Sequence, residues 1–261
     1  MSAPDERRDQ ELARGIATTA GRMLTDLRER RGFADPAELR RLGDRRSHDM
    51  IVNTLLHQRS ADAVLSEEGA DDVRRLDNPR VWIVDPLDGT REFAEPGQTE
   101  WAVHVALWER GRLSAGAVAL PARGSVLSTA DAPCGERTRR DGPLRIAVSR
   151  TRPPGMIGAL ADLLHAELVP MGSAGVKIAA VVLGEVDVYV HAGGQYEWDS
   201  AAPVAVALHA GLHASRIDGS PLAYNRPDPW LPDLVVCRPE RRESLLSALD
   251  EVSGKLTEVT G

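Results

Sequence analysis

The residues of this chain best suited to chemistry are acids that sit where apolar runs end. Asp85 and Asp88 close the stretch WIVDPLDGT, which runs from Trp82 to Thr90; Glu67 lies in AVLSEEG, Asp44 in GDRRSHD and Asp199 in YEWDSAAP. Pro86 and Leu87 stiffen the turn between Asp85 and Asp88, and Gly89 lets backbone approach a ligand with no side chain in the way. Carboxylates without histidine or cysteine suit Mg2+, which prefers oxygen ligands, keeps several waters and is commonly bridged to a substrate phosphate. With two or three ions, one lowers the pKa of a bound water and another stabilises the leaving oxygen of an in-line displacement. A helix beginning near Thr90 would add unpaired amides that favour phosphate. Hydrolysis of a phosphate monoester is the reaction these groups suit. Taken singly, Asp44 and Asp199 read as well as helix caps, and Glu67 with Glu68 as a solvated turn. A shared metal site is what explains them together.

Strands and helix ends must hold these acids. Val81, Trp82, Ile83 and Val84 predict a buried strand, and Pro86, which cannot donate to a ladder, should stop it at Asp85. Ala63, Val64 and Leu65 predict a short strand that delivers Ser66, Glu67 and Glu68. Upstream, Leu12, Ile16, Met23, Leu24 and Leu27 recur at helical steps over residues 11–30, broken by Gly32 and Pro36. Met50, Ile51, Leu55 and Leu56 form the apolar face of a second helix, with Asp44 just ahead of it. Alternation about a turn at Gly111 over residues 101–127 predicts an antiparallel meander. The polar residues 133–142 read as a hinge. Beyond it the pattern predicts a strand over 144–150, a helix over 154–164, a strand over 168–170, then GSAG leading into a helix and a strand broken at Gly184. A loop AGGQYEWDSAAP, an Ala-rich helix over 200–211, a proline-rich loop, a strand LVVC and a helix over 240–252 complete the chain. This is a layered α+β or α/β pattern in two lobes, residues 1–135 and 143–261. Trp101, Trp198 and Trp230 read as packing residues.

Hydrophobic content of 42% with 27% charge fits an ordinary globular chain, and 261 residues suffice for a large core. The charge-rich first ten residues read as the disordered exception. A net charge of −7 argues against nucleic-acid polymers as partners. No stretch approaches the ~20 apolar residues of a membrane span and no signal pattern opens the sequence, so a cytoplasmic protein without a membrane partner is expected. Cys134 and Cys237 lack metal-site spacing and read as free thiols.

WIVDPLDGT, with SEE upstream and WDSAAP downstream, resembles the inositol monophosphatase superfamily, which includes fructose bisphosphatases, over nearly the whole chain. REF after DGT, GSAG-x-K and HAGGQYEWDSAAP are most similar to its CysQ type, phosphatases of 3′-phosphoadenosine 5′-phosphate. The resemblance implies a layered αβαβα sandwich, a Mg2+ cofactor, lithium inhibition, a small phosphorylated substrate and a homodimer. It implies that Glu67, Asp85 and the carbonyl of Leu87 hold one ion and that Asp85, Asp88 and Asp199 hold another, with Glu67 reaching a third. Asp88, Gly89 and Thr90 would contact the phosphate, Asp44 would act as base with Thr90 orienting the water, and Ser173 with residues 194–198 would line the rest of the substrate pocket, next to Glu67 and Asp199.

One departure stands out: the family's Lys-x-x-Ser-x-Val-Thr-x-x-Asp is here ELRRLGDRRS, without that lysine and threonine. Inositol phosphate or fructose 1,6-bisphosphate are alternative substrates, and a non-catalytic metal or nucleotide sensor is the alternative of another class. A haloacid-dehalogenase reading fails on spacing, because Asp-Pro-Leu-Asp is one residue longer than Asp-x-Asp. Arg91, Arg145, Arg150 and Lys177 are candidates for a second phosphate or for a solvated surface.

Overall fold

The structure, a computed structural model, describes residues 3–131, 142–151, 153 and 155–260. The expected hinge, apart from Gly142, and Cys134 lie outside these residues. Helix α1 (Ala3–Arg31) starts well before the expected boundary, so the charged N-terminal residues from Ala3 onward are helical rather than disordered. Their charge serves the helix: Asp5 and Glu6 lie in its first turn and Arg28, Arg30 and Arg31 in its last, each complementing the dipole. Gly32, at φ +62°, ends it by donating to the Arg28 carbonyl. Helix α2 (Pro36–Gln58) starts earlier than its apolar face suggests, because Asp35 is the cap and accepts from the Glu38 amide at 3.0 Å. Asp44 is therefore an interior helical residue, not a cap.

Two five-stranded sheets follow. The first has the order β1 (Ala63–Ser66), β2 (Arg80–Asp88), β3 (Ala102–Glu109), β4 (Arg112–Leu120), β5 (Ser125–Ser128). β1 and β2 are parallel and the remainder is the expected antiparallel meander. β2 does not stop at Asp85: its pairing with β3 is broken over Pro86 and Leu87 and resumes at Asp88, opposite Ala102. The irregularity absorbs the missing proline donor and leaves both aspartates on one strand. The short helix α3 (Thr90–Phe93) follows.

The second sheet, in the order β7-β6-β8-β10-β9, is built from β6 (Arg145–Ser149), β7 (Glu167–Met171), β8 (Val188–Tyr196), β9 (His213–Ser215) and β10 (Trp230–Cys237). Helices α4 (Ile157–Leu164), α5 (Ala174–Val182), α6 (Glu197–His209) and α7 (Arg242–Thr260) are interleaved. The expected loop AGGQY is instead the end of β8, held by β10, which itself begins within the expected proline-rich loop.

Three apolar cores fix the layer order. Ile16, Ala20 and Leu24 of α1 and Ile51 and Leu55 of α2 meet Trp82, Val84 and Val105 on the outer face of the first sheet. Its inner face, with Val81, Ile83 and Ala106, shares a core with Ile178 and Val182 of α5, Val204 of α6, and Tyr189 and Leu234 of the second sheet. Leu160 of α4 and Leu245 and Leu249 of α7 cover Val148, Val190 and Val235 on the far side. The result is the expected αβαβα sandwich. Among the described residues no helix is long and apolar enough to cross a membrane.

Candidate active site

Parallel pairing of β1 with β2 sets Ser66 opposite Val84, and the Glu67 amide donates to the Val84 carbonyl at 3.2 Å, so Glu67 and Asp85 leave adjacent strand ends together. Asp85 is buried and folds back, accepting from the Leu87 amide at 2.9 Å. Helix α2 supports the turn: the Ser47 hydroxyl donates to the Pro86 carbonyl at 2.7 Å. Gly43 permits that approach, since a Cβ there would lie 2.9 Å from Leu87 and Phe93. Next to Gly43, Asp44 is 3.4 Å from the Thr90 hydroxyl, which also donates to the Leu87 carbonyl at 2.9 Å.

The middle layer brings the remaining groups. Asp88 is gripped at the start of α5, accepting from the Ser173 hydroxyl at 2.5 Å, the Ala174 amide at 3.2 Å and the Gly175 amide at 2.7 Å. Ser173 also caps α5 by accepting from the Val176 amide at 3.0 Å, at a φ of +52° that is strained for serine. Lys177 holds this turn, its buried ammonium donating to the Ser173 and Gly172 carbonyls at 2.6 and 3.3 Å. Gly89, at φ +82°, meets the same turn; a Cβ would lie 2.7 Å from the Glu100 carbonyl and 3.3 Å from Ser173. Asp199 is the third residue of α6 and accepts from the Tyr196 amide at 2.7 Å. The cap is therefore Tyr196 and not Asp199, which lies inside the first turn with its carboxylate on the cap amide and near Asp88 and Glu67.

Burial and crowding raise the pKa values of four of these acids. Asp85 is pushed well above the usual carboxylate range by burial and then by Glu67 and Asp88. Asp199 rises to about 7 through burial and Asp88. Glu67 rises to about 7 through desolvation and then Asp199. Asp44 also reaches about 7, through burial and then Glu68. Such mutual repulsion in a buried cluster is what a multivalent cation relieves. Asp85, Asp88 and His104 can bring one donor atom each within 4.8 Å of one another, so the cluster can hold a metal ion.

A family model described as the inositol monophosphatase family matches residues 10–253. The chain is 50% identical over 258 residues to a "3'-phosphoadenosine 5'-phosphate phosphatase" of Mycobacterium leprae, covering 95% of each chain. It is 32% identical to the "3'(2'),5'-bisphosphate nucleotidase CysQ" of Escherichia coli K12, over 71% of this chain and 79% of that protein. The crystal structure of CysQ from Bacteroides thetaiotaomicron superposes with a TM-score of 0.70 at 26% identity, over 89% of this chain and 97% of that one. The chain belongs to the inositol monophosphatase family.

Within this family member, His104 is the group that the sequence reading missed. It is fully buried on β3, its Nδ1 is 3.1 Å from the Trp198 carbonyl, and its Nε2 is 3.3 Å from Asp88 Oδ2. Gly175 makes room for it, since a Cβ there would lie 1.9 Å from Nε2. Burial drives its pKa down while Asp88 draws it up. Alternation along β3 could have exposed it: His104 faces inward among Ala102 and Ala106, where a polar ring needs polar partners.

Most of the basic candidates for a second phosphate are otherwise engaged. Lys177 is buried and bonded to carbonyls, with its pKa lowered to about 8 by desolvation. Arg145 donates to the Glu185 carbonyl at 2.6 Å, and Arg150 pairs with Glu100. Arg91 is exposed beside Thr90.

Proposed function

We propose that this chain is a Mg2+-dependent phosphate monoester hydrolase that converts 3′-phosphoadenosine 5′-phosphate to AMP and phosphate. The observation that carries the chemistry is the meeting of Glu67, Asp85, Asp88 and Asp199 at the ends of β1 and β2 and the start of α6, with Asp44 of α2 beside Thr90; burial and neighbouring acids raise the pKa values of Asp44, Glu67, Asp85 and Asp199. The substrate reading is supported by the M. leprae relative, whose name states it, and by identity extending over 95% of both chains. The oxygen-rich donor set fits Mg2+. Glu67, Asp85 and the Leu87 carbonyl would hold one ion, and Asp85, Asp88 and Asp199 a second. When bound, the ions supply positive charge against the phosphate and make water more acidic.

The protein's own groups do the rest. Gly89 and Thr90 amides orient the phosphate at the start of α3. Thr90, anchored by its hydroxyl on the Leu87 carbonyl, and Asp44, 3.4 Å from that hydroxyl, hold the attacking water, and Asp44 takes its proton. Ser173 acts by fixing Asp88 rather than by facing solvent. His104 is a positioning residue whose ring is fixed beside Asp88 by the contact of its Nδ1 with the Trp198 carbonyl. A cytoplasmic homodimer, which the sequence reading and the family resemblance imply, completes the proposal.

The test is phosphate release in Mg2+ from 3′-phosphoadenosine 5′-phosphate, inositol 1-phosphate and fructose 1,6-bisphosphate, for wild type and Asp88→Asn. A strong preference for the adenosine substrate that is abolished by the substitution is expected. Comparable rates on all three would retract the nucleotide assignment, and no release from any would favour a sensor.

A further inference from the structure

Beside the acids, two large aromatic residues remain in water: Tyr196 is 43% and Trp230 45% exposed. Trp230 is therefore not the packing residue expected from the sequence. The two are cross-strand partners in β8 and β10. Their rings lie 5.4 Å apart at 80°, so they form a corner with two apolar walls. Trp198 backs the first wall, stacking on Tyr196 at 4.6 Å and 10°. Gly194 seats the second: at φ +87°, its Cβ would fall 1.5 Å from the Trp230 ring. A substitution there would displace the wall.

The corner is tied directly to the site. The Tyr196 amide donates to Asp199 at 2.7 Å, and the Trp198 carbonyl is 3.1 Å from the His104 ring that also touches Asp88. A ligand whose phosphate lies at the acids thus has an aromatic surface within reach of its other end.

We propose that Tyr196 and Trp230 form a nucleobase subsite, in which a purine stacks on one wall and presents its edge to the other. The proposal rests on the nucleotide reading of the site and names what distinguishes a nucleotide from an inositol or sugar phosphate. A heteroaromatic base offers a π-face that gains from apolar burial and offset stacking, whereas a cyclitol offers hydroxyls and C–H groups. Because stacking tolerates any base, the subsite selects for a base rather than for adenine over guanine.

The probe is AMP set against ribose 5-phosphate, which has phosphate and sugar but no base. Both are titrated into the full chain with Mg2+, followed by tryptophan fluorescence and calorimetry, for wild type, Trp230→Leu and Trp230→Phe. AMP should bind wild type about tenfold or more tightly than ribose 5-phosphate. GMP should match AMP, Trp230→Leu should remove most of the difference, and Trp230→Phe, which keeps an aromatic face, should retain it. If Trp230→Leu does not fold, Tyr196→Leu removes the other wall and carries the same expectation. Equal affinities for AMP and ribose 5-phosphate, or undiminished AMP affinity in the folded leucine variant, overturn the subsite. So does a change from dimer to monomer in that variant with AMP affinity intact, which would assign the corner to self-association. Phosphate release from 3′-phosphoadenosine 5′-phosphate is measured alongside. Its absence with base-dependent AMP binding intact would sink the phosphatase reading and leave the subsite standing.

Discussion

Asp44 is half-buried and His104 fully buried, and the proposed mechanism gives them different tasks. Asp44 reaches the Thr90 hydroxyl at 3.4 Å, and the proposed mechanism makes it the group that takes a proton from water. Asp44→Asn keeps the shape and removes the base; kcat should fall about 10²–10⁴-fold with KM little changed, in steady-state phosphate release. A rise in KM with kcat unchanged would contradict the assignment. His104 touches no solvent and lies 3.3 Å from Asp88, and its proposed role is to position that acid. His104→Ala should weaken Mg2+ binding about 10–100-fold by calorimetry while leaving the pH profile of the remaining turnover in place. Glu67, Asp85 and Asp88 stood out in the sequence because they end apolar runs, and DPLDGT fixes two of them in one turn, whereas Asp44 lies in the charged stretch ELRRLGDRRS. Strand alternation places His104 inward, but its partners were not legible, because Asp88 and Trp198 reach it only through the fold. Trp230 was misread as well: placed in a proline-rich loop by the sequence, it opens β10, lies over Gly194 and stays exposed.

Glycines set how closely the elements approach. Gly116 lets β4 meet α6: a Cβ there would lie 2.5 Å from Ala205 and 3.0 Å from the Ala202 carbonyl, so the strand and helix have no room to spare. Gly116→Ala should cost about 1–3 kcal/mol by overpacking, read as a lower midpoint in urea with the slope unchanged. Gly175→Ala should cost a similar amount and in addition lower turnover, because the added methyl displaces His104. If both variants lost only stability, the link from α5 to the site through His104 would be wrong. Periodicity found most elements, including the meander and the buried α5 and α6, since their apolar faces repeat at strand or helix steps. Boundaries failed where polar chemistry overrides that repeat. β2 passes through Pro86 by breaking its ladder, β8 extends through two glycines because β10 pairs with it, and α2 begins at a cap eight residues before Gly43 makes its contact.

The acids also set how the whole molecule responds to pH. Asp44, Glu67 and Asp199 hold protons to about pH 7 in the metal-free fold but release them near 3.8 to 4.5 when unfolded. Between those limits the folded state binds more protons, so the stability of the metal-free protein falls as pH rises from about 4 to about 7. Divalent ions must displace those protons, so stabilisation by Mg2+ grows over the same window. Melting temperatures in chelator should drop between pH 5.5 and 8, and the gain from added Mg2+ should be larger at pH 8. A gain of equal size at both values would mean that the acids do not bind the ion. The middle core, shared by both sheets, bears on how the chain is made. During synthesis the first sheet is complete at Ser128, but α5 and α6, which cover its inner face, emerge only later. At ~5–20 residues per second, that face stays uncovered for seconds on the ribosome. A nascent chain stalled in that interval presents Val81, Ile83 and Ala106 to its surroundings and is a client for holding chaperones.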